Sequence, residues 1–139
     1  MRPLYSVLFC LYIVLGCQTK TFDDPISFLY KNTVPLLKTE EVVQKMHYQE
    51  PLLLDTRSRS EFSVSHLPGA QLIEYDDFKP SDVDHIPKNK EIIVYCSVGY
   101  RSERIGEKLL EMGYTKVYNL YGGIFDWKNQ SQIVVNHLN

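Results

Sequence analysis

Residues 96–102 read Cys-Ser-Val-Gly-Tyr-Arg-Ser, directly after the apolar run Glu-Ile-Ile-Val-Tyr at 91–95. The run 91–95 predicts a strand, and the stretch from Arg101 predicts a helix with Ile105, Leu109 and Met112 on one face. Cys96 therefore stands between a strand end and a helix start. Unpaired backbone N–H groups and the helix dipole present positive potential at such a corner. Helix N-termini and neighbouring cations lower the pKa of a cysteine and favour the nucleophilic thiolate. Gly99 lets the backbone curl without a Cβ clash. The amides of Ser97, Val98, Gly99, Tyr100 and Arg101 would then face the sulfur, and would hold an anion attached to Cys96 or leaving it. On these residues alone a second reading stays open. Cys96 would be a small buried hydrophobe at a strand end, Gly99 a turn residue and Arg101 a helix-surface charge.

The elements that must position this corner follow a regular rhythm. Residues 34–37 are a short apolar run, and Thr39 reads as a helix N-cap with Glu40 and Glu41 in the first turn. A helix follows over 40–47. Residues 51–56 form a continuous apolar run that suits a strand buried on both faces. A short helix is expected at 58–66, a turn at 67–70 and a second strand at 71–75. Pro80 and Pro87 punctuate 76–90, which predicts loop with one helical turn. Gly113 ends the helix after the third strand. Residues 116–120 read as a fourth strand, and Gly122-Gly123 as a turn into a short helical segment. Strands alternating with helices predict an α/β domain with a mainly parallel sheet of about five strands flanked by helices. Such sheets bind ligands beyond the carboxyl ends of their strands, where Cys96 would lie.

The chain has 139 residues, enough for one domain, with 44% hydrophobic and 23% charged residues, which is a globular composition. A net charge of −2 gives no basic bias toward nucleic acid. Cys10, Cys17 and Cys96 are too few and too scattered for a disulfide framework, and the four histidines show no metal-ligand spacing. Arg2 followed by an apolar stretch over 3–15 fits a signal-peptide core and is short for a transmembrane helix. Its end, Val14-Leu15-Gly16-Cys17, resembles a bacterial lipobox, in which cleavage before the cysteine exposes it for lipid attachment. The expectation is a lipoprotein-type signal over 1–16 and a lipidated tether over 17–33, packing on the domain through Ile26, Phe28, Leu29 and Tyr30. The domain would span 34–130 and a C-terminal tail 131–139. The protein would be exported and lipid-anchored to the bacterial cell envelope, facing the periplasm or on the outer membrane. An ordinary secretory signal or an uncleaved anchor are the alternatives. With Cys17 lipidated and Cys10 removed, Cys96 is left as a free thiol, which oxidising surroundings disfavour unless it is used or buried.

Four segments, in order, resemble the rhodanese-like family over about 36–129. Residues 96–102 match its loop C-x-x-G-x-R-S. Asp55, Arg57, Glu61 and Phe62 match D-x-R-x-x-x-E-[FY]. Residues 65–70 match G-H-[IL]-P-G-A, with Ser65 in place of glycine. Gly122, Gly123 and Trp127 match its G-G-…-W ending. The resemblance implies the rhodanese-like fold and sulfur transfer with no metal and no organic cofactor. Cys96 would take sulfane sulfur from a small anionic donor such as thiosulfate, a persulfide or a polysulfide. It would pass that sulfur to cyanide, sulfite or a thiol. Arg101 would close the loop and orient the donor. Ser97, Val98, Gly99, Tyr100 and Ser102 would bind substrate, with Tyr100 narrowing the entrance. Asp55 would stand behind the loop, Arg57 would pair with Glu61 four residues on, His66 would fix its turn by a hydrogen bond, and Trp127 would pack in the core. Arg59 and Arg104 are read as solvated surface charges. Two rivals remain: a slow persulfide carrier or sulfur-binding module, and a cysteine phosphatase or arsenate reductase. The latter enzymes use C-x5-R, whereas Cys96 to Arg101 is the smaller C-x4-R.

Overall fold

A computed structural model of the protein describes residues 25–136. In chain order these form β1 (Leu36–Leu37), α1 (Thr39–Tyr48), β2 (Leu52–Asp55), α2 (Arg59–Val64), β3 (Gln71–Leu72), β4 (Glu91–Tyr95), α3 (Tyr100–Glu111), β5 (Lys116–Leu120) and α4 (Gly123–Asn129), with single 3-10 turns at Ser27–Leu29 and Pro80–Asp82. The five strands make one parallel sheet in the order β1-β5-β4-β2-β3. β4 is central, and its side chains alternate between two cores. Ile92 and Val94 join Leu54, Ile105, Leu109 and Val117 beneath α3, while Ile93 and Tyr95 join Leu53, Val42, Ile124 and Trp127 beneath α1 and α4. Burial on both faces is why β4 reads as an unbroken apolar run. Each fully buried aliphatic side chain contributes about 1.5–3 kcal/mol, so the strand is held firmly where Cys96 leaves it.

The α/β sheet expected from the sequence is present, with β3 cut to two residues. Three local expectations are corrected. Thr39 is the first residue of α1 rather than its cap, because its hydroxyl donates to Asp126 Oδ2 at 2.8 Å, while Glu41 accepts the N–H of Lys38. Of the tether residues expected to pack on the domain, Tyr30 is buried, but Phe28 is 79% exposed. Residues 133–135 return to the domain, since Trp127 Nε1 donates to Ile133 O and Val135 pairs with His66. The signal segment over 1–16, Cys17 and the first part of the tether lie outside the described residues. Among the described residues no helix is long and apolar enough to cross a membrane.

Candidate active site

Cys96 is the first residue beyond β4, in the middle of the sheet, and α3 begins four residues later. The loop between them is fixed by its carbonyls. Cys96 O accepts from Ile124 N at 2.9 Å and Ser97 O from Phe125 N at 3.2 Å, both in the first turn of α4. Val98 O accepts from the Tyr30 hydroxyl at 2.6 Å. Gly99 O accepts from Asn119 Nδ2 at 2.9 Å and from Glu103 N at 3.2 Å. Within a trans peptide the N–H points opposite to the C=O. Tying these carbonyls to the surrounding framework therefore turns the amides of Ser97, Val98, Gly99 and Tyr100 to the other side, toward the space the loop encloses. Gly99 N donates to Cys96 Sγ at 3.1 Å, and the other three amides find no acceptor among the described residues. This is an anion cradle built from backbone dipoles.

Two glycines make the geometry sterically possible. Gly99 has φ +96°, and a Cβ there would lie 2.6 Å from the Tyr30 ring. Gly123 has φ +55°, and a Cβ there would drive into the Cys96 carbonyl and come within 2.7 Å of Ser97 C and O. The Gly122-Gly123 pair thus lets α4 dock its first N–H groups onto the loop.

Arg101 does not stand alone. Its Nη2 donates to Glu61 Oε1 at 2.8 Å and its Nη1 to Glu61 Oε2 at 3.0 Å, and Nη2 also reaches Ser97 Oγ at 3.1 Å. Glu61 is held in turn by the start of α2, where Ser58 N donates to Oε2 at 3.0 Å and Ser58 Oγ accepts from Glu61 N at 3.3 Å, a capping box. The hydrogen bond to Arg101 holds the Glu61 carboxyl well below the usual carboxylate range, with burial acting the other way and Ser58 assisting. Glu61 raises the guanidinium pKa of Arg101 by its hydrogen bond; burial opposes this, and the charges of Glu61 and Cys96 add to the rise.

The predicted site residues sort themselves accordingly. Cys96, Ser97, Val98, Gly99, Tyr100 and Arg101 form one loop, with the thiol only 1% exposed and Tyr100 48% exposed. Ser97 turns its hydroxyl to Glu61 and Arg101 rather than outward. Ser102 is corrected: it is fully buried and donates to Asn119 Oδ1 at 2.7 Å, so it fastens the loop from behind. The expected Arg57–Glu61 pair is also corrected. Arg57 binds Asp55 instead, through Nη2–Oδ2 at 2.6 Å and Nε–Oδ1 at 3.0 Å, and donates to Ser65 O, so this buried pair braces the turn after α2. His66 fixes that turn through Nδ1 and Phe62 O at 2.9 Å, and Trp127 is buried as expected. Arg104 is not a free surface charge: it pairs with Glu103 and Glu107 and lies over the Tyr100 ring, while Arg59 is paired loosely with Glu74 at 3.7 Å. Tyr30, Asn119 and the partnership of Glu61 with Arg101 escaped the sequence reading. Local spacing carries no signal for contacts that span tens of residues.

Among the described residues no group of three or more His, Cys, Asp or Glu is placed to hold a metal ion. A cavity of about 310 Å³ lined by Met46, Pro68, Trp127 and Ile133 contains none of the loop residues.

A thiol on a peptide cradle at the centre of a five-stranded parallel sheet defines a class of α/β domain with one nucleophile and a built-in anion site. The chain belongs to the rhodanese-like domain family, whose profile matches residues 38–130. It is 29% identical over 122 residues to a tRNA uridine(34) hydroxylase of Photorhabdus laumondii, covering 84% of this chain and 33% of that protein. The chain therefore spans about a third of the length of that curated relative. A rhodanese-like domain protein from Staphylococcus aureus superposes with a TM-score of 0.61 at 27% identity, over 68% of this chain and 91% of that one. A thiosulfate sulfurtransferase from Pseudomonas aeruginosa shares the fold, with a TM-score of 0.65 at 19% identity over 74% of this chain and 20% of that one.

Proposed function

We propose that the protein is a sulfurtransferase that carries sulfane sulfur on Cys96. The observation that supports this reading is the loop itself: Gly99 N–H donates to Cys96 Sγ, and the carbonyls of residues 96–99 are all tied away from it. The Cys96 thiolate attacks the outer sulfur of thiosulfate, the S–S bond of the donor breaks, and sulfite leaves with the bonding pair. The new Cys96–S–S⁻ persulfide puts its charge on the terminal sulfur, where inward amides stabilise it as an oxyanion hole stabilises oxygen. Cyanide, sulfite or a thiolate then attacks that terminal sulfur, takes it, and returns the Cys96 thiolate. The cycle is two-step covalent catalysis with no net redox change in the enzyme.

Arg101, paired with Glu61 through both terminal guanidinium nitrogens, keeps the loop closed, while the backbone amides supply most of the attraction for the donor anion. The Val14-Leu15-Gly16-Cys17 segment supports a lipid anchor on Cys17 and a location on the bacterial cell envelope; Cys17→Ser is then expected to release the protein from membranes, and unchanged fractionation overturns the anchor. The test of the main reading is intact mass after incubation with thiosulfate or polysulfide. One added sulfur is expected on the wild type and none on Cys96→Ser, which also loses thiocyanate formation. Equal sulfur loading or equal turnover in the two proteins overturns it.

A further inference from the structure

The hydroxyl of Tyr30 lies outside the family match at 38–130 and touches the loop from the N-terminal arm. It donates to Val98 O at 2.6 Å and accepts from Gly122 N at 2.8 Å. Val98 O belongs to the same peptide as the Gly99 N–H, and that N–H donates to Cys96 Sγ at 3.1 Å. The bonds therefore run head to tail, from Gly122 N–H to the Tyr30 oxygen, from the Tyr30 O–H to the Val98 carbonyl, and through that peptide to the sulfur. Each donor in such a chain polarises the next. A carbonyl that accepts a strong hydrogen bond leaves its peptide N–H a better donor, so the far end of the chain favours negative charge on the thiol.

The arm is also anchored beyond Tyr30. Lys31 N and Thr33 N donate to the two Glu103 carboxylate oxygens at 2.9 and 3.1 Å. Glu103 lies in the first turn of α3, and its own amide bonds Gly99 O. Burial pushes the Glu103 carboxyl up, but the two amides and Arg104 outweigh it and leave it below its ordinary value, so it stays a charged acceptor. Segment 30–33 thus clamps the loop at Val98 and the helix that follows it.

We propose that Tyr30 is a positioning residue for the sulfur chemistry: its hydroxyl completes a hydrogen-bond relay that tunes the Cys96 thiol. The proposal deepens the sulfurtransferase reading and rests on it for its kinetic consequence, but not for its effect on the thiol. The expected result for full-length Tyr30→Phe, which keeps the ring against Gly99, is an upward shift in the pH midpoint of Cys96 alkylation by iodoacetamide. Alkylation of Cys96 at neutral pH slows about twofold, because the variant keeps the Gly99 N–H bond to the sulfur and loses only the polarisation passed through the Val98 peptide. The rate of persulfide formation falls in step. Tyr121→Phe, which alters the ring packed at 5.5 Å from Tyr30, leaves the midpoint unchanged. Placing p-aminophenylalanine at position 30 restores a donor at the same reach and returns the midpoint toward wild type, which separates the relay from a loss of fold. An unshifted midpoint in Tyr30→Phe, or failure of the amino analogue to restore a shifted one, overturns the proposal. Wild-type protein that alkylates normally but takes up no sulfur overturns the sulfurtransferase reading and leaves the relay standing.

Discussion

Glu61 grips Arg101 with both carboxylate oxygens, Oε1 to Nη2 at 2.8 Å and Oε2 to Nη1 at 3.0 Å, across 40 residues of sequence. The pair links the first turn of α2 to the first turn of α3 and closes the loop that holds Cys96. It also balances the Arg101 charge, so the net attraction for a donor anion falls mainly to the backbone amides.

The pair has an acid-side signature. The folded-state pKa of Glu61 is depressed below its ordinary value near 4.5, because the hydrogen bond to Arg101 favours the carboxylate. Its stabilisation is therefore fully present above that ordinary value and is lost as pH falls from there through the folded pKa. Both side chains are about a third exposed, so solvent screening limits the pair to about 1 kcal/mol. Glu61→Gln is expected to be less stable than wild type by about 0.5–1 kcal/mol at pH 7. Urea unfolding at a series of pH values should show that gap closing below pH 4.5. A gap that stays constant into strong acid contradicts the assignment.

Gly123 and Gly113 both have positive φ, at +55° and +90°, but only Gly123 has backbone where a Cβ would go. Gly113→Ala is expected to cost about 1–2 kcal/mol from left-handed backbone alone, with sulfur loading of Cys96 intact. Gly123→Ala must push the loop off α4, so it is expected to lose sulfur loading as well as stability. Thermal melting together with intact mass after thiosulfate treatment separates the two effects. Full loading in Gly123→Ala would show that the Cys96 and Ser97 carbonyl contacts are dispensable.

Much of this architecture was legible in the chain. The apolar run of β4 and the helix after it placed Cys96 at the carboxyl edge of the sheet. Gly99 and Gly122-Gly123 marked backbone turns that have positive φ in the structure. What stayed hidden was pairing. Spacing of four residues suggested Arg57 with Glu61, but Arg57 is pulled back to Asp55 at the end of β2, which frees Glu61 for Arg101. Tyr30 looked like part of a tether because nothing local predicts that its hydroxyl meets Val98 O, 68 residues away. Ser102 looked like a loop ligand because the motif ends on it. In the fold it is the third residue of α3 and faces inward.

Ser102 gives a direct test of that distinction. Its hydroxyl donates to Asn119 Oδ1, and Asn119 Nδ2 holds the Gly99 carbonyl, so the serine orients the amide that steadies the loop. Ser102→Ala leaves a buried acceptor short of its donor and is expected to cost about 1–3 kcal/mol. Steady-state kinetics with thiosulfate should show little change in KM, since the side chain does not face the donor. A large rise in KM with an unchanged melting temperature would restore the substrate-binding role.

The size of the loop predicts which anion it refuses. Four residues separate Cys96 from Arg101, and the carbonyls at 96–99 are each tied to α3, α4, Tyr30 or Asn119. Widening the ring to admit a tetrahedral oxyanion would break several of these bonds at once, each contributing about 0.5–1.5 kcal/mol. A single sulfur atom on Cys96 makes no such demand. Aryl phosphate hydrolysis by the purified protein is therefore expected to stay at the background rate, with no protection of Cys96 from alkylation by millimolar phosphate. Brisk hydrolysis that disappears in Cys96→Ser would transfer the site from sulfur chemistry to phosphoryl chemistry.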